Sequence, residues 1–585
     1  MNRKSQSSAN DDPVGRADCE HVDEDDDSNS DSSEYILREN EVKNAWDTLY
    51  LPDSDQLLFF SRNREVDLSA IHPNQVQIFK LWQIYIGNFD PLMKVTHTPT
   101  LQARIVDAAM DVANIEDPSL EALMFSIYTV AIFSLSQAEC IKLFQMPRED
   151  LLARYQLGTK EALLNAGFLK TGNLECLTAL HFYLMSVKPL TDPRSLSAIL
   201  GVAIRIAQRM NIHDETANGK HQPLEAELRR RLWWSLVLFD ARISEMTEFR
   251  LGLLLPTWDC KTPSNVSDFD LRPEMKTPPE VSNITSEALF AVVRSELGDF
   301  LRHSSYHLDF INPALKPIAK RGNELDTLER SIEGKYLQKC DPQNPLHYMT
   351  IWWARGQIAK YRFIKQLSEC SKSTKPAQLT DAQRDAGFSY ALTMLECDSK
   401  LMTSKAVMGY RWLVYLNFPF PAYVHVVQDL RRRPLGEHAQ VAWEIMSENC
   451  AVRFMDIENR DNPMERKGNA FFKIFAGIVL QAWSAREAAL AGSSAMELPP
   501  LVVTQIKSRL ADMDGVTPEA GAIHNLGPAF STAMDISPSY SIGTSSSMDA
   551  NQDMFMMNMQ PQMGFGTTAW GWPTGTYHQM LGNGW

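Results

Sequence analysis

Apolar residues recur at spacings of three and four through most of this chain, and that rhythm confines it to helices. Leu196, Ile199, Leu200, Ala203, Ile204, Ala207 and Met210 trace one face of a helix, and Leu228, Leu232, Leu236, Phe239, Ile243 and Met246 trace another. The set Val76, Phe79, Trp82 and Ile86 reads the same way. Similar segments lie near 119–145, 148–166, 174–187, 284–302, 379–403, 411–431, 436–458 and 465–490. Period-two alternation, the mark of a half-buried strand, is scarce. The expected fold class is therefore all-α, with one large multi-helix body over residues 70–512. Asp117-Pro118 and Asp192-Pro193 read as exposed connections, as does the stretch 255–279 with its five prolines. No internal repeat is evident: Trp233-Trp234 and Trp352-Trp353 sit in different surroundings.

The ends are compositionally different. Of the net charge of −15, residues 1–40 carry twelve acids against four bases. Beyond Arg509 there are six acids and no Lys or Arg. Between them, 54 acids face 53 bases. A neutral body lacks the basic excess that marks a general nucleic-acid footprint. Residues 1–69 read as an acidic, mostly disordered segment, because so few apolar groups cannot offset the entropy of ordering. Residues 513–585 read as a low-complexity tail that keeps Phe555, Phe565, Trp570 and Trp572. Acids with aromatics suit an activation segment; a solubilising tail is the other reading. The first residues, polar and charged, hold no signal peptide. The longest apolar run, Leu123–Leu135, is too short for a bilayer, which needs about 20 residues, so no membrane partner is expected.

Candidate chemistry is sparse. No two of the eight cysteines lie within 25 residues of each other, so the close pairs of a structural zinc site are absent. Such cysteines suit burial in a reducing compartment. His97 and His213 have no ligand at metal spacing and read as packing or capping groups. No nucleophile elbow, phosphate loop or dinucleotide fingerprint occurs. The expectation is no catalytic, cofactor-binding or metal residues, and no enzyme; DNA-contacting residues are left unassigned. Arg229-Arg230-Arg231 reads as a helix edge, solvated or pairing with acids, in preference to a DNA patch. Arg431-Arg432-Arg433 ends a helix or forms a weak nuclear-import patch. Asp240 needs a partner, for which Arg205 or Arg209 is available. Gly201 would admit a close neighbouring helix, and Asn211 would end its own helix in a left-handed conformation. Of Trp233 and Trp234, one is expected in the core and the other on a neighbouring helix.

Several of these stretches stand in a familiar order. His97-Thr-Pro-Thr-Leu101 comes first. Cys176-Leu-Thr-Ala-Leu-His-Phe-Tyr-Leu184 and Ser197–His213 follow. Glu227-Leu-Arg-Arg-Arg-Leu-Trp-Trp-Ser-Leu-Val-Leu-Phe-Asp240, Leu255-Pro256 and Pro263-Ser-Asn-Val-Ser-Asp-Phe-Asp-Leu271 complete the set. Together they resemble the fungal-specific transcription factor domain, the middle homology region of zinc-cluster regulators, best over residues 75–275. The resemblance implies a nuclear transcription regulator whose helical body binds a small molecule or a protein partner, such as the transcription machinery or a related regulator. It also implies DNA as a partner and admits a homodimer. The family's N-terminal six-cysteine zinc cluster has no counterpart in these residues: only Cys19 precedes Cys140. A lost DNA reader or an upstream exon would each account for that. A non-DNA-binding scaffold that modulates a full-length relative is the alternative function, and an all-helical enzyme the remote one.

Overall fold

The computed structural model describes residues 67–245, 257–280, 285–303, 324–371, 381–454, 470–491 and 497–514. The described residues form helices and connections with no strand, so the chain is all-α as expected. The expectations for residues 1–66 and 515–585, tail aromatics included, lie outside them, as does Met246.

Local chemistry starts the helices. Asn74 accepts the Gln77 amide at 3.0 Å and opens α1 (Gln75–Ile84). A wide helical turn, Tyr85–Phe89, leads into α2 (Asp90–Met93), which Lys94 ends at φ +50°. After α3 (Thr98–Met110), Asp117 caps α4 (Pro118–Phe133) with Pro118 at its first position. Ser136 and Glu139 cap α5 (Gln137–Phe144) reciprocally. There follow α6 (Arg148–Asn165), then α7 (Leu174–Val187) capped by Asn173 and α8 (Pro193–Arg209) capped by Asp192. The two Asp-Pro pairs are thus helix starts. Asn211 does adopt φ +55° beyond α8. A short α9 (Glu215–Asn218) precedes α10 (Pro223–Ser244). The C-terminal half comprises α11 (Leu289–His303), α12 (Glu324–Lys335), α13 (Pro345–Ser371), α14 (Asp381–Thr403) and α15 (Arg411–Tyr415). It ends with α16 (Phe420–Arg432), α17 (Ala439–Phe454), α18 (Ala470–Leu490) and α19 (Leu501–Asp514).

The run Leu123–Leu135 became the central post of the N-terminal half. Every α4 side chain from Ala122 to Phe133 is buried, with α6 and α7 packed on it. No described helix is long and apolar enough to cross a membrane. Thr129 and Thr159 satisfy each other across the α4–α6 contact at 2.9 Å, beside Gly158. A second core joins α13, α14 and α16–α19 around Phe388, Tyr423, Trp443, Phe475 and Trp483. A third joins α11, α12 and α13 around Leu289, Leu297, Ile332 and Ile358.

Several expectations need correction. Val76 is 72% exposed; α1 buries Ile78, Leu81 and Trp82, and the stripe continues at Tyr85 and Phe89 because the wide turn shifts the register. Gly201 faces open space, with nothing within 4 Å of a Cβ placed there. Arg205 and Arg209 are both exposed, and they bond Gln208 and the carbonyls of Leu169 and Thr171. Trp233 and Trp234 are both fully buried, because Trp258 from the proline-rich stretch covers them edge-on at 5.3 and 5.2 Å. That stretch is an exposed connection only in part: Trp258, Val266, Asp268 and Leu271 are buried, whereas 272–274 and 276–278 are exposed.

Candidate functional site

One site is an ionic junction built by the proline-rich stretch. Asp268 reaches it with both carboxylate oxygens occupied: Lys94 Nζ donates to Oδ2 at 2.7 Å, and Arg231 Nη1 to Oδ1 at 2.8 Å. Its backbone N–H donates to Glu287 Oε1 at 2.7 Å, and its carbonyl lies 2.9 Å from His97 Nε2. A carbonyl only accepts, so the His97 proton sits on Nε2. Lys94 also holds Asp90 at 2.9 Å, while Asp90 accepts from Thr96, whose hydroxyl meets Tyr85 at 2.7 Å. Arg231 also donates to Glu227, which accepts the Ser264 amide at 3.0 Å. Burial opposes the charge of Asp268, but Lys94 and Arg231 outweigh it and hold its carboxyl below the ordinary value. Burial pushes the Asp90 carboxyl up.

The arginine run is consumed here. Arg229 donates to the Met210 carbonyl at the end of α8, and Arg230 to Glu215, which also takes the Lys261 amide. Arg231, expected at a helix edge that is solvated or pairing with acids, is fully buried and paired. Pairing with acids is what the run does. Arg433 likewise closes α16 on Asp429 and Asp385. His213 packs on Trp233 at 5.7 Å.

A second site is a cleft of about 590 Å³, partly open to solvent, between the end of α10, α13, α14 and the α15–α16 connection. Trp352, Trp353, Phe418 and Pro421 supply its apolar walls; Arg242, Gln357, Lys360 and Asn417 supply polar groups. Arg242 and Lys360 share one carboxylate, Glu245, at 2.6 and 2.5 Å. Arg242 and the buried Lys188 donate to the same carbonyl, that of Leu416, at 3.1 and 2.9 Å. Burial and the neighbouring Arg242 push the Lys188 ammonium well below its ordinary value. Among the described lining residues the one acid, Asp398, is bound by Arg453 and by Asn449 at 2.8 Å. Sequence reasoning passed over this cleft. Its walls come from separate segments between Arg242 and Pro421, and only the Trp352-Trp353 pair stood out.

Residues 82–304 match the fungal specific transcription factor domain. The chain therefore carries that domain. Transcriptional regulator AacuB of Aspergillus aculeatus is 52% identical over 481 residues, 81% of this chain and 64% of its own. Transcriptional regulator nsrM of Aspergillus novofumigatus is 46% identical, over 80% of this chain and 65% of its own. The aurofusarin cluster transcription factor aurR2 of Gibberella zeae is 33% identical, over 74% and 64%. The chain thus spans slightly less than two thirds of the length of these relatives. Within the fungal specific transcription factor domain, His97, Arg231 and Asp268 come from three of the stretches that carry the resemblance, and the fold brings them to one junction.

The zinc cluster of zinc-cluster regulators does not fit the described residues. Cys140, Cys176, Cys260, Cys397 and Cys450 are buried singly, and Cys340 is half-buried. Burial pushes the Cys176 thiol to about 11 and the Cys397 thiol to about 12, away from the thiolate that zinc requires. Among the described residues, no three His, Cys, Asp or Glu side chains are grouped to hold a metal ion.

Proposed function

We propose that this chain regulates transcription of a fungal biosynthetic pathway or gene cluster from the nucleus, without catalysis, and that its helical body senses a small molecule. The observation that carries the reading is the junction of His97, Arg231 and Asp268 within a domain matched over residues 82–304. The relatives' own names support it: two are transcriptional regulators, and a third is a transcription factor of the aurofusarin cluster. The cleft supports sensing, since its aromatic walls with a few convergent polar groups suit a small ligand. DNA and the transcription machinery are the partners this reading implies.

The test fuses the full chain to an unrelated DNA-binding module and measures a reporter. A severalfold change over the module alone is expected. Replacing Phe555, Phe565, Trp570 and Trp572 by Ala should abolish any activation that residues 517–585 support. A reporter at background would favour the scaffold reading.

A further inference from the structure

We propose that Asp90 is a proton-accepting switch at the buried end of the junction: a proton taken up there leaves Lys94 to Asp268 alone and draws the proline-rich stretch more tightly onto the body.

The ion pairs of the junction run on as a single line of alternating charge. From Asp90 it passes to Lys94 at 2.9 Å, Asp268 at 2.7 Å, Arg231 at 2.8 Å and Glu227 at 3.1 Å. It continues to Arg230 at 3.6 Å, Glu215 at 2.6 Å and Lys261 at 3.7 Å. Each inner member meets opposite charge on both sides, whereas each end meets it on one. Lys261 ends the line in water, with its side chain 73% exposed. Asp90 ends it with its side chain 3% exposed, and its one cation among the described residues is shared with Asp268. A buried carboxylate with only a shared counter-ion is destabilising, and a proton removes that penalty.

The surroundings of the two aspartates differ accordingly. Both Asp268 carboxylate oxygens accept from cations, which have no lone pair to receive a proton. Asp90 Oδ1 faces hydroxyls, Thr96 at 3.2 Å and Tyr85 at 3.5 Å, and Oδ2 faces Lys94 and, at 3.5 Å, Thr98. Hydroxyls accept as well as donate, so a proton on Asp90 Oδ1 has an acceptor in Thr96. Burial first, and Asp90 after it, push the Tyr85 hydroxyl well up and that of Tyr410 to about 12, so both stay neutral. Arg294, on α11 where it packs against α2, donates to the Met93 sulfur at 3.6 Å, and His97 bonds the Asp268 carbonyl. Burial pushes the Asp90 carboxyl up against the pull of Lys94, and Asp268 adds to the push. A folded carboxyl above its unfolded value, about 3.9, weakens the fold at neutral pH, and the loss is relieved as pH falls through the folded value. Lys94 carries the effect to the stretch. It holds φ +50°, uncommon for a residue other than glycine, with Nζ between the two aspartates.

Hydrogen–deuterium exchange of the purified full chain, read by mass spectrometry and corrected for the pH dependence of free amides, tests the switch. From about pH 7.5 to about pH 4.5, the amides of 264–271 should gain protection severalfold, while those of α4 (Pro118–Phe133) hold steady. Asp90→Asn should be as protected at neutral pH as the parent is in acid, and should lose the response. Asp90→Ala, which places no hydrogen-bonding group there, should do the same. A parent without the response overturns the proposal. So does a response that survives both substitutions, because another group, such as His97 at the Asp268 carbonyl, then takes the proton. Failure of both variants to fold at neutral pH overturns it too, because a site suited to the neutral acid accepts a neutral side chain. Each outcome leaves transcriptional regulation standing, which the reporter tests by itself.

Discussion

Asp268 decides more than any other single residue. It is 2% exposed and holds two cations from distant parts of the chain. Asp268→Asn keeps the shape but leaves Lys94 and Arg231 with less compensation, so a loss of about 3–5 kcal/mol is expected in urea unfolding at pH 7. The pH dependence follows from the sign of its shift. The folded carboxyl sits below its ordinary value, so its contribution is complete above the unfolded value, about 3.9, and disappears as pH falls through the folded one. The parent should therefore lose stability on acidification below about pH 4, and the Asn variant should lose less over that interval. Equal acid slopes would contradict the pairing. Gly158 carries a second test: a Cβ there would meet the buried Phe125 ring at 2.5 Å. Gly158→Ala should cost about 1–3 kcal/mol through overpacking, read by the same unfolding curves. Asp268 itself was illegible in advance as a core residue. Its partners stand 37 and 174 positions away, and a proline-rich stretch gives no periodic sign of burial.

At the scale of elements, helices with one buried stripe were legible and helices serving two neighbours were not. Helix α8 follows its pattern, burying Leu196, Leu200, Ala203, Ile204 and Ala207. Helix α13, with 27 residues, escaped notice. Its Ile351, Ala354, Ile358 and Tyr361 face one core, while Ala359 and Phe363 face another, so no single stripe stands out. Helix α10 shows the same effect: its stripe of Leu232, Leu236, Phe239 and Ile243 was visible, but Trp233 and Trp234 lie off it and are buried by Trp258. Since both are buried, Trp233→Ala and Trp234→Ala should each cost about 3–5 kcal/mol in thermal or urea melts. A pair in which one variant matches the parent would contradict the burial of both. The turn Tyr85–Phe89 is a different failure, since an extra residue per turn breaks any pattern of fixed period.

At the scale of the molecule, the cleft straddles the edge of the matched domain. The match at 82–304 covers the junction and Arg242, whereas Trp352, Lys360 and Phe418 lie beyond it. The all-α class and the family resemblance were legible because periodicity and motif order are local. The cleft was not, because it exists only after α10 and α13 meet. The central claim is that this chain controls transcription of a biosynthetic gene set. Messenger RNA levels across the genome, compared between cells with the gene and cells without it, test it most directly. The account expects one contiguous set of biosynthetic transcripts to change at least severalfold while the remainder hold steady. Profiles that coincide under conditions where the protein is expressed would contradict it.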